Sequence, residues 1–113
     1  MLAIDTLILD TDERVVRVAG KNLSLSPMLF RVLEALMWCE KTLVTRHMMY
    51  VYVYGTFPPE NIYECRSIDI KVSALRRRLA EVYGGLNLID FVRNEGYVLR
   101  VPRTIIQPFA LAA

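Results

Sequence analysis

The chain has 113 residues, 54% hydrophobic and 23% charged, with five Gly and five Pro; this suits one compact domain and excludes a disordered chain, a collagen-like repeat and a Pro-rich linker. No apolar run approaches the roughly 20 residues of a membrane span, and two cysteines, Cys39 and Cys65, cannot build a disulfide framework or a zinc site. The net charge of +2 is unevenly placed, −2 over residues 1–65 and +4 over 66–113, with five basic residues and one acid between Arg66 and Arg78, which points to a localised polyanion contact.

Residues 3–25 read as a small antiparallel meander of three or four short strands. Ile4, Leu7 and Leu9 precede turn residues at Asp10-Thr11-Asp12-Glu13; Val15-Val16-Arg17-Val18 forms the next run; Gly20-Lys21-Asn22 reads as a tight turn before Leu23-Ser24-Leu25. Ser26-Pro27 then opens a helix, Ser26 as the cap and Pro27 at the first helical position, where its missing donor costs nothing. Leu29, Phe30, Leu33, Leu36 and Met37 recur at helical spacing, and the helix is expected to end near Glu40-Lys41, with Trp38 packed beside the stripe.

Thr42-Leu43-Val44 reads as a short extended link, and Thr45 as the cap of a second helix from Arg46 to about Val53. That segment is β-branched and aromatic, and propensity alone favours a strand; the cap and its position favour the helix. Gly55 and Pro58-Pro59 make a loop to Glu64. A third helix is expected from about Tyr63 to Tyr83, because Ile68, Val72, Leu75, Leu79 and Val82 form one apolar stripe and Gly84-Gly85 stops it. Leu88 to Val92 and Tyr97 to Val101 then flank a turn at Arg93-Asn94-Glu95-Gly96, as a hairpin does. The domain is expected to occupy residues 1–102, with its sheet in 1–25, helices in 26–83 and hairpin in 88–101; residues 103–113 form a tail.

With the stripe of the third helix turned to the core, Arg66, Ile70, Ser73 and Arg77 point outward. Ala74 and Glu81 lie on one flank and Arg76 on the other; Lys71 and Arg78 sit near the core boundary. A basic, small and polar outer face suits a major groove, which admits one helix; Ser73 and Ala74 let the backbone approach the bases, and marginal Arg and Lys can reach phosphates. A helix preceded by another and followed by a hairpin is a winged helix-turn-helix of α+β class, and Arg93 at the hairpin tip is placed to enter a minor groove. The plain alternative for the basic helix is a solvated face.

Three stretches make the pattern specific. Arg66-Ser67-Ile68-Asp69-Ile70-Lys71-Val72-Ser73-Ala74-Leu75-Arg76-Arg77-Arg78-Leu79 resembles the recognition helix of OmpR/PhoB-type effector domains. Phe91-Val92-Arg93-Asn94-Glu95-Gly96-Tyr97-Val98-Leu99 resembles the wing of that family, and Leu25 to Leu36 its entry helix, with Leu29 replacing the usual acid. Leu43-Val44-Thr45-Arg46 and Tyr54-Gly55 match its second helix. The Tyr-Gly exit, the Pro-Pro-Glu loop and the Gly-Tyr-Val-Leu-Arg ending resemble the CtrA-like subgroup.

The resemblance implies a four-stranded N-terminal sheet, three helices and a wing. It also implies DNA contacts: phosphate for Arg66, Ser67 and Arg76; the groove for Lys71, Ser73 and Ala74; the minor groove for Arg93. Arg46, Ile70, Arg77 and Asn94 complete the expected DNA-binding set. The loop from Thr56 to Glu64 matches a segment that touches RNA polymerase in activators of the family. Because Met1 stands at the first strand, no phosphorylatable receiver is expected to precede this domain, and control by aspartyl phosphorylation is not expected. Ser73 and Ala74 replace arginines found in several relatives, so base readout is weaker or differently directed. Glu95 beside a phosphate would cost about 1 kcal/mol.

These features lead to the expectation of a stand-alone, sequence-specific regulator of transcription that binds double-stranded DNA, with repression slightly favoured over activation and two copies on one operator or a partner protein expected for tight binding. The competing class is an interaction module that binds polymerase or another regulator with little DNA affinity, as an anti-activator would. Nothing resembles an enzyme: there is no Gly-rich phosphate loop, no Ser/His/Asp set and no convergent carboxylate pair, and the single histidine, His47, reads as a surface residue. No cofactor, metal or membrane partner is expected, and the Met1-Leu2-Ala3-Ile4-Asp5 start, lacking a basic leader, makes the cytoplasm the expected location. The ending Ala110-Leu111-Ala112-Ala113 resembles a terminus read by ClpXP-type proteases; the alternative is a frayed or packed end.

Overall fold

The computed structural model describes residues 1–58 and 66–103. The expected start of the third helix at Tyr63, the loop residues up to Glu64, Cys65 and the terminal Ala-Leu-Ala-Ala all lie outside the described residues. Four strands, β1 (Leu2–Ile4), β2 (Leu7–Asp10), β3 (Val15–Val18) and β4 (Lys21–Leu23), form an antiparallel sheet in sequence order. Leu7, Leu9, Val16, Val18 and Leu23 alternate onto its inner face and are buried there, each contributing about 1.5–3 kcal/mol.

Two turns differ from the sequence reading. The segment holding Ile4, Leu7 and Leu9 is broken at Asp5-Thr6, so that Ile4 pairs with Leu7; Asp5 takes φ +52°, a left-handed conformation that a short polar side chain tolerates. The second turn lies at Ala19-Gly20 rather than Gly20 to Asn22. Both residues have positive φ (+51° and +82°), the geometry whose twist matches the flanking strands, and Lys21 and Asn22 are thereby released into β4.

Helix α1 (Pro27–Trp38) starts as expected: Ser26 Oγ accepts the Leu29 N–H at 3.3 Å, and Pro27 follows. It stops two residues before the expected Glu40. Lys41 takes φ +68° so that its N–H reaches Leu99 O at 2.9 Å, while Glu40 turns its carboxylate to the Val101 N–H at 3.0 Å and to the Arg103 guanidinium. This clamp holds the Glu40 carboxyl below its ordinary pKa, the Arg103 hydrogen bond being the largest cause. Trp38 is not packed: it is 68% exposed.

Helix α2 (Arg46–Tyr54) forms against β propensity. Thr45 Oγ1 accepts the Met48 N–H at 3.1 Å, and Gly55 closes the other end at φ +70° with its N–H on Val51 O. Tertiary packing decides the contest, because Met49 and Val53 are buried in the core and Arg31 of α1 bonds the exposed C-terminal carbonyl of Tyr52 at 3.3 Å. Helix α3 (Arg66–Val82) buries Ile68, Val72, Leu75 and Leu79 completely, and Gly84 and Gly85 end it with both φ angles positive.

The hairpin of β6 (Ile89–Val92) and β7 (Gly96–Leu99) has the expected turn. The segment read as an extended link supplies a third strand, β5 (Val44–Thr45), paired with β7, so the sheet order is β5-β7-β6. Gly96 makes this possible: a Cβ there would lie 2.1 Å from Val44 O. The strand that precedes α2 and the hairpin that follows α3 are thus one sheet, and this fixes the hairpin relative to both helices.

Candidate nucleic-acid interface

Three elements meet at one surface: the outer face of α3, the start of α2 and the β6–β7 hairpin. The face itself follows from the helix wheel. Arg66, Asp69, Ile70, Ser73 and Arg77 line a shallow concavity of about 560 Å³ along α3. Arg66, Ile70 and Arg77 are exposed, Ile70 to 64%; Ser73 and Ala74 are half-buried. An isoleucine that open to water, flanked by two arginines, leaves an apolar spot in a cationic surface.

The remaining expected residues are held in different ways. Ser67 Oγ accepts the Tyr54 hydroxyl at 3.3 Å, and the Lys71 ammonium sits 5.5 Å from the Tyr54 ring centroid, so α2 steadies both. Tyr54 in turn stacks against Tyr50, centroids 4.5 Å apart, while Tyr52 faces elsewhere and donates its hydroxyl to Glu34. Arg78 bonds Glu81 and Ser24 O, both at 2.7 Å, and serves the fold. Arg93, Asn94 and Glu95 are exposed at the hairpin tip. Asn94 takes φ +61°, the left-handed turn position that suits Asn as it does Gly.

Arg46 has a different placement from the other expected contacts. Its side chain is only 14% exposed, and its Nε donates to Asp69 Oδ1 at 3.1 Å. Its guanidinium lies 5.5 Å from the Tyr97 ring centroid. Asp69 also accepts the hydroxyl of Tyr97, a fully buried residue of β7. One carboxylate therefore ties α2, α3 and the wing together. Burial, and then the bond to Asp69, pushes the Tyr97 hydroxyl far above its ordinary pKa, so it stays a donor. The sequence signal for this knot is the one acid between Arg66 and Arg78, Asp69, which charge counting registers without assigning it a role.

A second missed contact lies on the same flank of α3, two turns further along. The Arg76 guanidinium stacks 4.7 Å from the centroid of Phe91 in β6, and Phe91 meets Tyr97 edge-on at 5.2 Å and 78°. The cationic helix and the hairpin are thus in direct contact.

Away from this surface, Trp38, Met48, Tyr52 and Phe57 expose large apolar side chains over α1 and α2; His47, Met48, Val51, Tyr52 and Phe57 line a depression of about 350 Å³ there. Among the described residues no group of three or more His, Cys, Asp or Glu could hold a metal ion, and no helix is long and apolar enough to cross a membrane.

A family model described as "Transcriptional regulatory protein, C terminal" matches residues 20–99. The cell cycle response regulator CtrA of Brucella ovis is 32% identical over 96 residues, which are 85% of this chain and 40% of that protein, and the Brucella anthropi CtrA is 31% identical over the same span. The chain therefore spans about 40% of the length of these curated relatives. Among solved structures, the Klebsiella pneumoniae RstA DNA-binding domain in complex with RstA box superposes with a TM-score of 0.75 at 26% identity, covering 88% of this chain and 95% of that one. The DNA-binding domain of CpxR from E. coli gives 0.74 at 25% identity, covering 88% and 94%.

Proposed function

Because the chain belongs to the OmpR/PhoB-type family of DNA-binding domains of transcription regulators, we propose that it regulates transcription by placing α3 in the major groove of duplex DNA and the hairpin tip in the adjacent minor groove. The observation that carries this reading is the contact between the two parts. Arg76 on α3 touches Phe91 of the hairpin, so the exposed cationic face and the protruding Arg93 belong to one rigid surface.

In this reading Arg66, Ser67, Arg76 and Arg77 hold phosphates, which supply affinity and register. Lys71, Ser73 and Ala74 face the bases, and Ile70 offers its exposed side chain to a thymine methyl group, the apolar feature of the major groove. Arg93, with Asn94 beside it, reads minor-groove potential. Arg46 contributes indirectly by holding Asp69. A single domain of this size makes few phosphate contacts, so two copies on neighbouring half-sites bind tightly, and the protein represses by occupying promoter DNA.

The test is a fluorescence-anisotropy titration of the DNA upstream of its own coding sequence at two salt concentrations. Binding should weaken steeply with salt and be several-fold weaker, though still measurable at low salt, in Arg76→Ala and Arg93→Ala. Salt-insensitive binding, or binding untouched by both variants, refutes the proposal.

A second reading is favoured by the exposed apolar face around Trp38, Met48 and Phe57, the last at 81% exposure. In it the chain contacts RNA polymerase through this face, which includes the start of the 56–64 loop. Co-purification with purified polymerase, lost in Phe57→Ser, supports that reading, and its absence rejects it.

A further inference from the structure

We propose that Phe91 is a positioning residue for DNA binding: it holds the Arg76 guanidinium against the wing in the orientation needed to meet a phosphate. The inference rests on the DNA-binding reading above and deepens it.

Arg76 is a flexible cation on the flank of α3 nearest the hairpin. Left free, it would sample many rotamers and lose conformational entropy on meeting DNA. Instead its guanidinium lies 4.7 Å from the Phe91 ring centroid, within reach of the electron-rich ring face. Stacking over an aromatic face leaves the in-plane N–H groups of a guanidinium free to donate. Among the described residues Arg76 also takes part in no ion pair of this surface: Asp69 is engaged with Arg46, and Glu81 with Arg78.

The ring is itself held. Phe91 packs edge-on against Tyr97 at 5.2 Å, and Tyr97 is anchored by its hydroxyl to Asp69 near the start of α3. A closed circuit runs from α3 through Arg76, Phe91, Tyr97 and Asp69 back to α3. Phe91 is 36% exposed, which is much for a phenylalanine serving only the core.

The experiment uses the full chain and a labelled mixed-sequence duplex at low salt, because a phosphate contact acts on every sequence alike. Phe91→Leu keeps apolar bulk and removes the ring face. It should weaken binding about two- to fivefold, the size of a partly exposed cation–π contact, with its melting temperature followed alongside. Phe91→Trp, with a stronger ring face, should restore wild-type affinity. In an Arg76→Ala background Phe91→Leu should cause no further loss, because the ring then has nothing to hold. An equal loss in both backgrounds, or failure of Phe91→Trp to rescue, overturns the proposal. Unchanged affinity in Phe91→Leu while the wild type binds overturns this inference alone. A wild-type chain that does not bind duplex even at low salt overturns the DNA reading as well.

Discussion

Replacing Asp69 with alanine removes the carboxylate that joins α2, α3 and the wing, and its cost can be worked from the contacts. The Arg46–Asp69 pair is 14% and 32% exposed on its two sides. It lies between a surface pair, worth about 0.2–1 kcal/mol, and a buried one, whose breaking costs about 3–5; solvent screening at Asp69 places it near 1–2 kcal/mol. The hydroxyl of the fully buried Tyr97 loses its acceptor, which adds about 1–3 kcal/mol. The sum is about 2–5 kcal/mol in a domain whose total stability is of order 5–15. At about 4 °C per kcal/mol for a chain of this length, Asp69→Ala should melt roughly 8–20 °C below wild type by circular dichroism. Tyr97→Phe deletes the hydroxyl while leaving Asp69 paired with Arg46, and should cost only about 1 kcal/mol. An Asp69→Ala variant that melts within about 3 °C of wild type, or a Tyr97→Phe variant as damaged as Asp69→Ala, refutes the reasoning.

Two further outcomes are expected. Gly96→Ala should destabilise by about 3 kcal/mol, because the new Cβ meets the backbone of Val44 and Thr45, which yields only if β5 parts from β7; an unchanged midpoint in chemical denaturation contradicts this. Burial, and then the bond to Glu34, pushes the Tyr52 hydroxyl up to about 12. A pKa raised on folding adds stability below the ordinary tyrosine value of about 10, and that stability is lost as pH rises from there through about 12. Between pH 10 and 12 the wild type should therefore lose more stability than Tyr52→Phe. Parallel pH profiles reject that account.

Much of the architecture was legible because its signals are local. The stripe Ile68, Val72, Leu75, Leu79 is a spacing, and the caps Ser26 and Thr45 act on N–H groups three residues away. The outward set Arg66, Ile70, Ser73, Arg77 follows from the wheel once the stripe is assigned. The errors occurred where a distant segment overrode a local preference. Trp38 reads as packed from its place beside an apolar stripe, yet it stands 68% exposed. Helix α1 was extended to Glu40, whose carboxylate is instead drawn to Val101 and Arg103 across 61 and 63 residues. The link at Val44 became a strand only because β7 lies beside it.

Apart from α2 and β5, where tertiary packing decides, the amino-acid order by itself determined the element types, the direction of the cationic face and the family, since each depends on residues a few positions apart. The folded chain alone decided which side chains are bound to which. Arg46 meets Asp69 across 23 residues and Tyr97 meets Asp69 across 28; Arg76 finds Phe91 only once the hairpin has packed beside α3. Such pairings leave no periodicity to read, because they depend on packing in space rather than on spacing along the backbone. They separate the arginine that steadies the core from those that face outward.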